Sequence, residues 1–307
     1  MTTDVVSEQS YGTSQRRMAR IVVVAMLMFH VGAAGVFFVG ASTTAVVAMI
    51  VYYILRGFGI TAGFHRLLAH RSFRTSRPVQ FVLALFGSLA IQGGPLWWVA
   101  HHRTHHRYTE TDKDIHSPRT KGFWRSHIGW MFSPASFNEN GAGARDLHQY
   151  GELKWLQRQY AWIALGQGAV IYLVGAAIGY LVPESGTSGL QFLVWVYFFG
   201  TVALWHATFM VNSVCHLWGG QPFDAKDDST NNWVVGLLAL GEGWHNNHHK
   251  FANSARHGLF WWQFDLTWLI LKVMSWVRLV RDLKLPNPTV MADALEKNRT
   301  RASASAT

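Results

Sequence analysis

Nine histidines in this chain are of a type and spacing that could do chemistry. Eight lie in three boxes: His65-Arg-Leu-Leu-Ala-His70, His102-Arg-Thr-His105-His106 and His245-Asn-Asn-His248-His249. The ninth, His216, stands in Asn212-Ser-Val-Cys-His216. Neutral imidazole is the commonest protein metal ligand, and packing does not call for such clusters. Helix positions i, i+3 and i+4 share a face, so the three rings of the second box can converge, and so can those of the third. His65 and His70 are five apart, about 140° of rotation on a continuous α-helix. They would point to different sides of a shared site, or the helix breaks between them. Structural zinc closes with four ligands, so nine imidazoles are too many for one ion. Two ions with four or five nitrogens each use all nine. Iron, zinc, copper and nickel all accept imidazole, so ligand type leaves the metal open. A di-iron carboxylate bundle needs two Glu-x-x-His strings. This chain has one, Glu242-Gly-Trp-His245, which argues against that class. A lone cysteine, Cys215, excludes an intrachain disulfide and a thiolate cluster. His30, His101, His116, His127, His148, His206 and His257 are read as packing or interfacial residues.

The elements that must position the boxes belong to a membrane protein. Half of the 307 residues are hydrophobic and 14% are charged, against about 25% charged in soluble domains. Spanning about 30 Å of hydrocarbon takes about 20 apolar residues, and four stretches qualify, near 21–41, 44–64, 162–182 and 190–211. Short uncharged turns join the first two and the last two into helical hairpins. The run 79–99 holds Gly93-Gly94-Pro95 and is read as re-entrant or interfacial, because a fifth span would separate the first two boxes across the membrane. Trp233–Leu240 is too short to span and is expected to dip partway before the third box. None of the 27 Lys and Arg falls in the two expected outer turns. The positive-inside rule therefore places both termini, and with them all boxes, in the cytoplasm. The expected organisation is a disordered tail (1–20), one membrane unit (21–285) with a helical cap from 65–161 and 212–285, and a polar tail (286–307), disordered from Arg299. Net charge is +10, but no nucleic-acid motif accompanies it; an anionic membrane face or substrate suits it better.

Around the boxes the chain resembles the membrane-bound fatty acyl desaturases of the stearoyl-CoA desaturase type, bacterial members included. The strings that carry the resemblance are Gly59-Ile-Thr-Ala-Gly-Phe-His-Arg-Leu-Leu-Ala-His70, Trp98-Val-Ala-His-His-Arg-Thr-His-His106, Gly122-Phe-Trp-Arg-Ser-His-Ile-Gly-Trp130, Gly241-Glu-Gly-Trp-His-Asn-Asn-His-His249 and Ser254-Ala-Arg-His-Gly258. The resemblance implies an all-α membrane fold, four spans under a cytosolic cap, in a bacterial inner membrane. It implies two irons on His65, His70, His102, His105, His106, His216, His245, His248 and His249, with Asn212 holding one through water. The implied reaction uses oxygen and two electrons to place a cis double bond, between carbons nine and ten, in a saturated acyl chain. Redox-inert zinc cannot serve such an oxidation. Animal acyl-CoA members carry cationic contacts to CoA where Ala100-His101 and Pro134-Ala135 stand here, so CoA recognition would fall to other residues such as Arg119 and Lys121. The reading leans to an acyl-CoA substrate, with an acyl-lipid desaturase or a membrane hydroxylase as alternatives. Tyr53 and Met49, on one face of the second span, are expected at the far end of the acyl tunnel. No haem, flavin or iron–sulfur motif is present, which implies a separate ferredoxin or small haem protein with its reductase. A metal transporter would place its ligands near the bilayer midplane, unlike boxes at span ends.

Overall fold

A computed structural model describes residues 11–137 and 142–305. In chain order its main helices are α1 (Thr13–Phe37), α2 (Thr43–Ala69), α3 (Arg77–Leu89), α4 (Pro95–Tyr108), α5 (Phe123–His127), α6 (Gly151–Leu181), α7 (Gly189–His216), α8 (Trp233–Leu238), α9 (His245–Lys250), α10 (Leu266–Trp276) and α11 (Pro288–Ser305). Four of them, α1, α2, α6 and α7, are long and apolar enough to cross a membrane. Their outward faces carry exposed large apolar side chains, such as Leu27, Val31, Trp162 and Leu173. Hydrocarbon is the solvent that such faces require. One antiparallel pair of two-residue strands, β1 (Arg74–Thr75) and β2 (Val280–Arg281), ties the chain after the first box to the end of α10.

The spans run past the apolar stretches that announce them. The second reaches Ala69 and the fourth reaches His216, so each carries metal-type histidines on the helix itself. Hydropathy marks where lipid ends, not where the helix ends. The outer turns are stapled together. Ser42 caps α2 by accepting from Ala45 N (3.1 Å) and donates to Gln191 Oε1 (2.6 Å) at the start of α7.

Two expectations need correction. Residues 13–20 are helix rather than disordered tail: no Gly or Pro interrupts Thr13 to Val31, and Gln, Arg, Met and Ala favour helix. Residues 1–10 lie outside the described part. The polar C-terminal stretch forms α11 through Ser305, begun by Pro288 and sustained by Ala, Leu, Glu and Lys; residues 306–307 lie outside the described part. The run 79–99, expected not to span, falls in two helices. The chain turns at Ile91 and Gly93, both with positive φ (55° and 94°), before Pro95 opens α4. Neither helix is long enough to span.

α3 lies against the end of α2 at a separation that only glycine allows. A Cβ on Gly59 would stand 2.1 Å from the backbone nitrogen of Gly87. From Gly59 to Ala69 the helix is wound as a π-helix.

Candidate metal centre

The π-winding decides where the first box points. A π-helix bonds residue i to i+5, and His70 N donates to His65 O at 3.1 Å. Residues five apart therefore share a face. The two rings stand with centroids 4.8 Å apart. Neither alternative drawn from an α-helix, divergence or a break, occurs.

α2, α4, α7 and α9 bring all nine histidines together in two sets. His65, His70, His102, His106 and His248 form one, and His105, His216, His245 and His249 the other; within each set the ligand-type atoms lie within 4.8 Å of one another. The residues between the histidines hold this arrangement. Arg103 donates to the carbonyls of Leu68 (2.8 Å) and Ala69 (3.0 Å), tying α4 to the end of the π-helix. Arg66 is fully buried and donates to Glu242 (3.1 Å), Asp265 (3.0 Å) and the Ala255 carbonyl (2.7 Å). Asn246 bonds both backbone groups of Phe223, each at 2.9 Å.

Carboxylates behind the rings set their tautomers. His65 Nδ1 meets Glu242 at 2.5 Å, His105 Nδ1 meets Asp114 at 2.8 Å, and His249 Nδ1 meets Asp227 at 2.6 Å. An ionised carboxylate only accepts, so these Nδ1 atoms carry the proton and Nε2 is the nitrogen turned toward the other rings. Burial opposes ionisation of Asp114, but His116 and His105 outweigh it and hold the carboxyl below its usual range. Glu242 is likewise held down, against burial, by His65, His257 and Arg66. Burial first, and neighbouring imidazoles second, push His70, His102, His106, His245 and His248 well below the ordinary histidine value. These rings are neutral, the state in which imidazole binds metal.

The nitrogens then face one another. His248 Nε2 stands 3.1 Å from His65 Nε2 and 2.9 Å from His106 Nε2, and His216 Nε2 stands 3.1 Å from His245 Nε2. Two nitrogens bound at about 2.1 Å to one ion at right angles stand about 3.0 Å apart. His249 Nε2 is buried with no hydrogen-bond partner among the described residues. Facing nitrogens and an orphaned buried nitrogen fit cations.

The other candidates fall elsewhere. Asn212 lines a cavity of about 60 Å³ with Gln92, Trp98, Trp130 and Thr208, and Trp98 stacks on His102 at 5.0 Å. Tyr53 donates to the Leu238 carbonyl at 2.7 Å and packs against the main core. Met49 packs with Phe192 and Val196. Arg119 and Lys121 are each engaged by a surface acid, Asp228 at 2.7 Å and Asp112 at 3.2 Å.

A model of the family described as "Fatty acid desaturase" matches residues 41–275. The chain belongs to that family. It is 43% identical over 243 residues to the icosanoyl-CoA 5-desaturase of Limnanthes douglasii, covering 76% of this chain and 64% of that protein. It thus spans less than two thirds of that relative's length. It is 41% identical over 262 residues to the sn-1 stearoyl-lipid 9-desaturase of Anabaena variabilis, covering 84% and 91%. A palmitoyl-monogalactosyldiacylglycerol delta-7 desaturase of Arabidopsis thaliana is 40% identical, covering 76% and 61%. Relatives at similar identity thus differ in acyl carrier and in double-bond position.

Sequence reasoning missed several residues of this family site. His116 stacks on His105 at 4.6 Å and His257 lies 4.5 Å from His248, so neither is a remote packing residue. Asp114 and Asp227 carried no signal beyond being acids near the boxes. Glu242 was visible as the Glu-x-x-His string, but as a would-be ligand rather than the group that holds His65. His30, His206 and His127 form a chain instead of a metal group. His30 Nε2 meets His206 Nε2 at 3.1 Å, and His206 Nδ1 meets His127 Nε2 at 2.9 Å.

Proposed function

We propose that this protein desaturates a long saturated acyl chain in a membrane, using two irons held by the nine histidines. The observation that carries the reading is the division of nine imidazoles into a set of five and a set of four beside the ends of two spans. Bound iron would supply the oxidising power to remove two hydrogens from an unactivated chain while oxygen is reduced to water, with two electrons from a separate ferredoxin or small haem protein. The chain's own residues bind and orient. Glu242, Asp114 and Asp227 hold His65, His105 and His249 with Nε2 inward. Asn212 holds one iron through water. Trp98, stacked on His102, and the cavity it shares with Asn212 place the acyl chain beside the metals. Gln92 Oε1 accepts from Thr208 at 3.1 Å and closes that cavity's polar side.

The double bond is placed at carbons nine and ten. The carrier is read as a membrane lipid rather than CoA. Ala100-His101 and Pro134-Ala135 offer no cation, and Arg119 and Lys121 already face carboxylates. The Anabaena stearoyl-lipid relative, which this chain matches over 91% of its length, supports the same choice. Both termini and the site face the cytoplasm, consistent with the outer turns' lack of Lys and Arg.

Expression in a host lacking unsaturated fatty acids tests the reading. Rescue of growth, with mass spectrometry locating the double bond on glycerolipid before it appears on acyl-CoA, is expected. A hydroxylated chain in place of an alkene would refute desaturation. Each of the nine histidines changed to alanine should lose nearly all turnover, because a site acting as a unit is non-additive. Full activity in any one variant removes that residue from the site.

A further inference from the structure

A second cavity, apart from the metal centre, lies between the third box and α11. Its volume is about 610 Å³, inside the range of about 300–1,000 Å³ that holds small-molecule ligands. Trp233, Trp244, Phe260, Trp262 and Leu295 form its apolar walls. Gln221, Asn231, Gln263 and Asn298 supply its polar groups, and none of the described residues that line it is charged.

Gln263 points to a ligand. It is 4% exposed. Its Oε1 accepts from Asn247 Nδ2 at 2.8 Å and from Phe260 N at 3.1 Å. Those two donors fix which way the amide faces. Its Nε2 is buried with no partner among the described residues. A buried amide donor left unmet costs free energy unless something supplies an acceptor.

The position favours lipid. Trp233 begins α8, whose Val234, Leu237 and Leu238 are all exposed. The bond from Tyr53 to the Leu238 carbonyl places α8 beside the middle of α2, twelve residues before His65. The exposed face of α8 thus lies at the depth of the spans, and Trp233 stands between that face and the cavity. Exposed tryptophan at such a boundary is the side chain of the membrane interface. Uncharged carboxamides suit ester carbonyls and do not suit a multiply charged nucleotide.

We infer that this cleft binds one acyl chain of a membrane glycerolipid, a small opening of the wall letting an ester carbonyl accept from the covered Gln263 Nε2. Asn247 lies within the third box and bonds Gln263, so the bound lipid shares a wall with the metal centre. Lipid in this cleft is compatible with either carrier as substrate, and the test below reads binding, not turnover.

Full-length protein reconstituted in phosphatidylcholine vesicles would be irradiated with a phosphatidylcholine bearing a diazirine on one acyl chain. Adducts would be mapped by mass spectrometry. Labelling of peptides holding Trp233, Phe260 to Trp262 and Leu295 is expected, above the general labelling of α1 and α6. Leu295→Trp fills the cleft from α11 and should cut that labelling at least fivefold, while Leu295→Ala should not. Gln263→Glu keeps both accepted bonds but removes the donor, and should also weaken labelling. Excess unlabelled phosphatidylcholine should compete and palmitoyl-CoA should not. Labels confined to the spans, unchanged labelling in both blocking variants, or equal competition by palmitoyl-CoA would overturn the inference. Should a variant fail to fold, the parent protein's own label map and competition decide.

Discussion

Asp114 is 1% exposed and makes one bond that matters for chemistry, to His105 Nδ1. Groups that orient a metal-binding histidine typically change affinity by about 10–100-fold when removed. Asp114→Asn should therefore lower metal retention in the four-histidine set by that order and spare the five-histidine set. Metal content after dialysis against graded chelator checks this; one wild-type-like release curve would refute it. A different histidine gives a pH signature. His101 donates to the Trp97 carbonyl at 2.9 Å, and burial pushes it down to about 4. The unfolded value is about 6.5, so the unfolded chain takes the proton first. Stability is full above about 6.5 and falls as pH drops toward 4. Thermal denaturation should show Tm decreasing from about pH 7.5 to 5, with a shallower fall in His101→Phe. An equal slope in the folded variant would take His101 out of the account. The nine ring positions were legible because box spacing is a local pattern. The carboxylates behind them were not, since an acid's partner is chosen by tertiary contact. Arg119 and Lys121 looked like free cations for the same reason: Asp228 lies more than a hundred residues from Arg119, and no spacing rule joins them.

At the scale of elements, the π-helix from Gly59 to Ala69 is the part hydropathy could not disclose. Apolar runs reveal spans because lipid demands them, so four spans were readable. Winding depends on what presses against the helix, here α3 at Gly59. The 140° expected between His65 and His70 assumed the wrong period. Removing one residue from a π-turn restores α-helical bonding and rotates the downstream residues by about 100°. Deletion of Ala62 should leave the protein inserted and helical but cost the metal of the five-histidine set. Circular dichroism with metal analysis would test this, and full metal content after the deletion would show that the winding does not aim the box. The polar ends were misread for a related reason. Low hydropathy in 13–20 and 288–305 marks departure from lipid, while their helix-forming residues still fold as helix.

The whole molecule keeps its Lys and Arg out of the two proposed outer turns. Cysteine introduced at Glu184, exposed in the turn between α6 and α7, should react with impermeant reagent from outside intact cells. Cysteine at Thr120, exposed beside the second box, should react only after the membrane is opened. The reverse pattern would invert the proposed orientation. The nine histidines also have an order in time. α2 and α4 supply five of them, α7 one and α9 the last three. Each set needs at least one of the last three, so neither can close until residue 245 or 248 has left the ribosome and passed the exit tunnel. By then both hairpins have been synthesised. Metal loading thus falls at the end of biogenesis, and a chain halted before α9 would reach the membrane with every span in place and both metal sets incomplete.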